Sequence, residues 1–160
     1  MKEETPCVTK RILVGEFASP DETKRQDWIR LALGMVVKLA ETVDRPTTCV
    51  LLIPTREQLT PSHDINKVIG EDAAKALLKG QSVRLQPSEC SLVLATGNTF
   101  QKKANGDFLL SVHNIGSTMQ KIDKEAGRFS AIVVVPWIAV DIADWDDKWD
   151  YRIPEPAEKE

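Results

Sequence analysis

The segment His113-Asn114-Ile115-Gly116-Ser117-Thr118 holds the residues best placed for chemistry. It follows a predicted strand and opens a predicted helix, where free backbone N–H groups and the helix dipole favour an anion. Gly116 lets a phosphate approach the backbone, and Ser117 and Thr118 add hydroxyl donors. The alternative is that Asn114 or Ser117 only caps the helix. The segment lacks the lysine of a Gly-x-x-x-x-Gly-Lys-Ser/Thr loop and the spacing of a dinucleotide-binding motif.

Histidine chemistry can involve only two residues, because His63 and His113 are the sole histidines. His113 is predicted at a strand end, where an imidazole can act as general acid or base; a hydrogen-bonded structural role is the alternative. His63, within Pro61-Ser62-His63-Asp64, is expected to be an exposed loop residue near a helix start. Histidines and cysteines do not occur at a metal-binding spacing, so we expect no metal and no cofactor.

The predicted loop after the first strand, residues 15–21, is a second candidate region. In open α/β sheets this loop often touches the ligand, so Glu16 is a candidate acid/base or ribose-hydroxyl partner, and Gly15 a candidate ligand-binding residue. Ser19 and Asp21 are better explained as the cap of the following helix and a partner of its dipole.

Two further residues follow other predicted strands. Asn98, in Thr96-Gly97-Asn98-Thr99, could line a polar pocket, although a Gly-Asn pair is also typical of a turn or bulge. Arg56, just past the second strand, could clamp a carboxylate or phosphate; a surface role is the alternative.

Four short apolar runs are predicted to position these loops: residues 11–14, 49–53, 91–95 and 131–135. They do not alternate with polar residues, which is typical of strands covered on both faces. Helical patterns lie between most of them. The sequence therefore predicts an α/β fold with a mixed, mainly parallel sheet and helices on both faces, Rossmann-like in the loose sense. Ligands of such sheets bind outside the carboxyl ends of the strands.

The first two helices are delimited by capping and breaking residues. We expect the first to have Ser19 as its N-cap, Pro20 at its first position and an end near Val43. The second is expected within 64–79, with an interruption at Gly70 and a stop at Gly80.

The second half of the chain predicts a hairpin and then a strand–helix–strand unit. Asn105-Gly106 predicts an antiparallel hairpin inserted at about residues 99–113. A helix follows, with one face formed by Ile115, Met119, Ile122 and Ala126 and with Gly127 as its C-terminal cap. A strand over 129–135 completes the unit.

The C-terminal part is rich in tryptophan and aspartate. Ile138, Ile142, Trp145 and Trp149 form one stripe of a predicted last helix, which either packs in the core or serves as a homodimer or partner surface. The aspartates between them are expected on the solvated outer face. Residues 155–160 are expected to be a disordered acidic tail.

Composition excludes several classes of function. With 160 residues, 42% of them apolar, the chain is expected to form one domain over 1–154. The net charge of −3 and the lack of a dense Lys/Arg face argue against nucleic-acid binding. The sequence shows neither a membrane-length apolar run nor a secretory signal, so we expect a cytoplasmic protein with buried free thiols.

Two hypotheses on function remain open. The first is a small-molecule site for a phosphorylated or nucleotide-like ligand at the strand-end loops, with hydrolysis or group transfer through Glu16 or His113 if it is an enzyme. The second is a non-catalytic interaction or assembly protein that uses the predicted helix of Trp145 and Trp149 as its contact surface.

Overall fold

The computed structural model describes residues 9–15, 21–86, 88–97, 99–100, 106–137, 142–143, 145 and 147–153. These form one seven-stranded sheet. Its strands are β1 (Lys10–Val14), β2 (Thr47–Ile53), β3 (Val83–Leu85), β4 (Cys90–Thr96), β5 (Phe108–Val112), β6 (Ala131–Val135) and β7 (Tyr151–Ile153). The order across the sheet is β3-β4-β2-β5-β6-β1-β7. All neighbouring strands are parallel except β3 and β4. The predicted mixed, mainly parallel sheet is confirmed.

Helices cover both faces of this sheet, as predicted. They are α1 (Glu22–Glu41), α2 (Asp64–Ile69), α3 (Glu71–Leu78) and α4 (Gly116–Lys124), with 3-10 turns at Arg56–Leu59 and Ala126–Arg128. Buried residues of α1, α2 and α3 belong to one hydrophobic cluster, whereas those of α4 belong to the other. Strand β2 contributes residues to both clusters. Leu51 and Ile53 belong to the cluster with α1, α2 and α3, and Val50 and Leu52 belong to the cluster with α4. Burial on both faces explains the unbroken apolar runs.

Strand β5 does not form the hairpin that is predicted at about residues 99–113. Both edges of β5 are occupied by parallel neighbours, β2 and β6, which leaves no edge for an antiparallel arm. Residues 101–105 of the other arm lie outside the described residues. The antiparallel element is instead β3, a three-residue strand paired with β4. Its shortness explains why the apolar pattern did not predict it.

The start of α1 differs from the prediction, whereas the interruption at Gly70 is confirmed. Asp21, not Ser19, is the N-cap: its carboxylate accepts hydrogen bonds from the amides of Thr23 (2.9 Å) and Lys24 (3.4 Å). Ser19 lies outside the described residues. Gly70 separates α2 from α3 with φ of 97°, a value that glycine adopts without steric cost.

The helix after β5 is also shorter than its sequence pattern indicates. Met119, Ile122 and Ala126 are buried, but Ile115 precedes the helix and is 54% exposed. Gly127 is not the C-cap of α4, because the helix ends at Lys124 and Gly127 lies in the following 3-10 turn. β5, α4 and β6 nevertheless form the expected unit, with β5 and β6 as parallel neighbours.

The tryptophans near the C-terminus pack inward. Trp145 is 2% exposed, lies under the guanidinium of Arg11 at 4.4 Å and belongs to the core cluster against which Trp149 packs. The burial of Trp145 leaves its own ring almost no exposed surface for a partner. A contact surface on this segment and a homodimer stay predictions. Ile138 lies outside the described residues. Tyr151–Ile153 forms β7 beside β1.

Two smaller findings concern the thiols and the membrane. Cys49 and Cys90 are free and buried, as predicted, and burial raises the pKa of both thiols; Cys7 lies outside the described residues. In the part of the chain that the structure describes, no helix has the length and apolar character needed to cross a bilayer.

Candidate functional site

The strand order predicts a crevice between β2 and β5. These strands are parallel neighbours, yet β2 leads to α2 and α3 on one face while β5 leads to α4 on the other. Where successive connections diverge in this way, the strand ends leave a gap that open α/β sheets commonly use for ligands. Pro54 and His113 are the first residues after β2 and β5.

A cleft of about 660 Å³ opens at this position. Its size falls in the usual range for small-molecule sites. It is lined by the ends of β2, β5 and β6, the first turn of α1, and the start of α2 with the loop before it. The lining residues are Glu22, Arg25, Pro54, Gln58, Ser62, His63, Asp64, Lys67, His113, Ile115 and Trp137.

His113 lies in this cleft in an unusual backbone conformation. Its φ is 59°, the left-handed region that a residue with a Cβ adopts at a cost, and its amide donates to the Val135 carbonyl at 2.8 Å. The side chain is 6% exposed, and the imidazole centroid lies 4.9 Å from the Trp137 ring. Its Nε2 is buried and has no hydrogen-bond partner among the described residues. Such outliers occur preferentially at functional sites.

The charge state of His113 follows from its burial. Burial lowers its pKa to about 4, partly opposed by the negative charge of Asp64, while the positive charge of Arg25 lowers it further. The imidazole is therefore neutral at pH 7. In that state it can donate or accept a hydrogen bond and can accept a proton, but it has no acidic proton to give to a substrate.

Two ion pairs join α1 to α2 beside the imidazole. Arg25 Nε donates to Asp64 Oδ2 at 2.7 Å, and Gln26 donates to the other oxygen of this carboxylate at 3.3 Å. Burial raises the pKa of Asp64, but the hydrogen bonds and charge of its partners outweigh this and lower it. Lys67 Nζ donates to Glu22 Oε2 at 2.6 Å, and this bond lowers the pKa of Glu22. The cleft thus contains two matched pairs of opposite charge.

An apolar surface faces these charged groups. Trp137 and Ile115 are the large hydrophobic residues left exposed among those described, with 44% and 54% of their surfaces accessible. Both line the cleft, together with Pro54. Exposed apolar side chains that cluster at a concave site are typical of binding surfaces, whereas single scattered ones are common on any protein. The arrangement suits a flat ring.

His63 also lies in the cleft, which corrects the expectation of a mere exposed loop residue. It is partly buried and precedes α2, and its Nδ1 lies 2.9 Å from the Thr60 hydroxyl. The fold therefore brings both histidines of the chain to one site.

The predicted anion site at the start of α4 looks different in the structure. Asn114 does not cap the helix; its Nδ2 donates to the Leu52 carbonyl and to Ser111 Oγ, each at 2.8 Å. The N-cap is Ile115, which makes no capping bond through its side chain. Asn114 instead ties the end of β2 to that of β5. Both predicted capping roles, of Asn114 and of Ser117, are therefore wrong.

The other residues predicted in this segment do not reach the cleft. Gly116, Ser117 and Thr118 form the first turn of α4, but none of them lines the cleft described above. Ser117 is exposed, whereas Thr118 is buried near Gly97. Among the predicted site residues that the structure describes, His113 is the one that lies in this cleft.

The remaining candidates lie elsewhere or outside the described residues. Arg56 donates to the Leu78 carbonyl at the end of α3 and does not line the cleft. Gly15, with φ of 82°, packs against Trp28, whose ring a Cβ would approach to 2.8 Å. Its role is close packing. Glu16 and Asn98 lie outside the described residues.

Most residues of this cleft are not predicted from the sequence. Trp137 had a usable signal, since Val135-Pro136 predicts a strand end and Trp137 follows it as His113 follows β5. Arg25, Asp64 and Lys67 had none, because surface charges on helices do not reveal which strand end the helices border.

Neither metal ligands nor relatives identify the site further. Among the described residues, histidines, cysteines and carboxylates form no group of three that could hold a metal ion. Comparison with protein-family models, curated proteins and solved structures finds no match to this chain.

Proposed function

We propose that this protein binds a nucleotide-like small molecule in the cleft between the ends of β2 and β5. One observation carries the proposal: the Nε2 of His113 is buried at the cleft without a partner in the described chain. Leaving a buried polar atom unpaired costs about 1–3 kcal/mol, so a partner beyond the described residues is favoured. A heteroatom of a bound ring becomes such a partner if the side chains that cover Nε2 move aside on binding, because this atom is itself buried.

The rest of the cleft supports a ligand that is both flat and polar. Trp137 offers an exposed indole, and aromatic side chains of this kind stack on heterocyclic bases. Gln58, Ser62 and His63 add hydrogen-bond donors and acceptors around it. A nucleobase combines a flat face with an edge of such groups.

Catalysis stays a prediction. A hydrolase or transferase reaction would need a proton acceptor and a proton donor, and neutral His113 suits the first role only. Glu16, the other predicted acid/base residue, lies outside the described residues. The proposal therefore concerns binding.

A thermal-shift screen tests the proposal. The purified protein is scanned with nucleosides, mononucleotides, dinucleotides, sugar phosphates and inorganic phosphate. A ligand at 100 times its dissociation constant adds about 2.7 kcal/mol to stability, which corresponds to roughly 5–10 °C in Tm for a domain of this size. We expect a shift with base-containing compounds and none with sugar phosphates.

Two variants locate the binding. Trp137→Ala should remove the shift while lowering the Tm of the free protein little, because the indole is 44% exposed. Arg56→Gln is the control and should keep the shift, since Arg56 does not line the cleft. The proposal would be contradicted if no base-containing compound raised the Tm at millimolar concentration. It would also be contradicted if the Tm shift in Trp137→Ala were as large as in the wild-type protein.

A further inference from the structure

The charges of the cleft decide which part of such a ligand is recognised. Glu22, Arg25, Asp64 and Lys67 carry two negative and two positive charges, and neutral His113 adds none. Sites that attract phosphate by charge instead present a net excess of cations or a row of free amides. The described lining has no such excess.

The two cations are moreover engaged by carboxylates. Arg25 and Asp64 bond at 2.7 Å with side chains only 21% and 15% exposed. Moving Arg25 away from Asp64 to a phosphate would leave this largely buried carboxylate with only the 3.3 Å hydrogen bond from Gln26, which is unfavourable. Lys67 is more exposed, but Glu22 holds it at 2.6 Å and repels an incoming anion.

We infer that the cleft recognises an uncharged heterocycle, a nucleobase or nucleoside, and that a phosphate group on the ligand adds nothing to binding. The inference rests on the proposed function and names its ligand class. The ring stacks on Trp137, and its polar edge meets His113 Nε2 once the side chains that cover this buried atom move aside. The two ion pairs line the polar side of the cleft, and because their charges cancel they do not favour an anionic ligand.

Calorimetric titration of the four common ribonucleosides and their 5′-monophosphates tests this directly. For the base that binds best, we expect the Kd values of nucleoside and monophosphate to agree within about threefold, a difference below 1 kcal/mol. Both should change little between about 50 and 500 mM NaCl, because no long-range charge attraction is involved.

A charge variant makes the test sharper. Glu22→Gln removes the carboxylate that holds Lys67, so the cleft gains one net positive charge. We expect this variant to bind the monophosphate about five- to tenfold more tightly than the nucleoside, within the range of one partly exposed charge contact. Glu41→Gln, on an exposed residue at the other end of α1, is the matched control and should leave the ratio unchanged.

The outcomes separate the inference from the function on which it rests. If the wild-type protein binds monophosphates more than about tenfold tighter than nucleosides, or if Glu22→Gln leaves their ratio unchanged, the inference is wrong while a nucleotide site stands. If neither nucleosides nor monophosphates bind, the proposed function itself is wrong.

Discussion

Acid should destabilise this protein through His113 before its carboxylates titrate. The folded-state pKa is about 4, whereas an unperturbed histidine titrates near 6.5. Between these values the unfolded chain binds a proton that the folded chain excludes, so the free energy of unfolding rises with pH. The slope reaches at most about 1.4 kcal/mol per pH unit, midway between the two pKa values, and the stability lost from pH 6.5 to 4 is about 3 kcal/mol. That is a large part of the 5–15 kcal/mol typical of a domain.

The carboxylates act in a lower pH window. Asp64, Asp107 and Asp123 have lowered pKa values in the folded protein. Their stabilisation is present above their unfolded values, near pH 4, and is lost only as the pH falls below that. Glu22, whose pKa is lowered from an ordinary value of 4.5, contributes just above this window, so the interval from about pH 5 to 6.5 isolates His113 best.

Urea unfolding at several pH values measures the effect. His113→Asn removes the imidazole and tolerates the left-handed φ of 59° better than most residues. We expect the variant to lose the slope of about 1 kcal/mol per pH unit that the wild-type protein shows on average over this interval. Equal slopes in the two proteins would refute the assignment of a buried, neutral imidazole.

Two further substitutions test the packing around the site, each with a control. Gly15→Ala should destabilise the protein by about 2–4 kcal/mol in urea unfolding, because φ is 82° and the Cβ would meet Trp28 at 2.8 Å. Gly34→Ala, which has no neighbour within 4 Å, should instead stabilise α1 by about 0.5–1 kcal/mol, and a loss there would count against the described packing. Asn114→Ala should cost about 2–3 kcal/mol through its two buried hydrogen bonds. Ser117→Ala should change stability by less than about 0.5 kcal/mol. A larger loss for Ser117→Ala than for Asn114→Ala would instead indicate that Ser117 caps the helix.

The sequence predicts the fold here better than the site. The apolar runs fall on β1, β2, β4 and β6 because a strand buried on both faces needs no polar alternation. Strand β5 is also parallel to its neighbours, but the sequence predicts it as one arm of a hairpin. The reason is that Asn105-Gly106 is a local signal, whereas strand order is a long-range property. The short β3 and β7 lack enough residues to show a period.

The site shows the same limit. His113 could be predicted because it follows a strand end, which is a local property. Its neutrality depends on burial, in part against the Trp137 ring, which only the assembled fold provides. Asn114 was assigned to a helix cap, the common local role, whereas its actual partner in β2 lies 62 residues away along the chain.

The most direct test of a cleft that binds a heterocycle through His113 is nitrogen NMR of the two imidazoles during a nucleoside titration. The His113 signals are assigned by their loss in His113→Asn. The account predicts that a binding nucleoside shifts the His113 Nε2 resonance as that atom gains a hydrogen-bond partner. Binding that leaves the His113 Nε2 unchanged, or no binding by any of the four nucleosides, would contradict it.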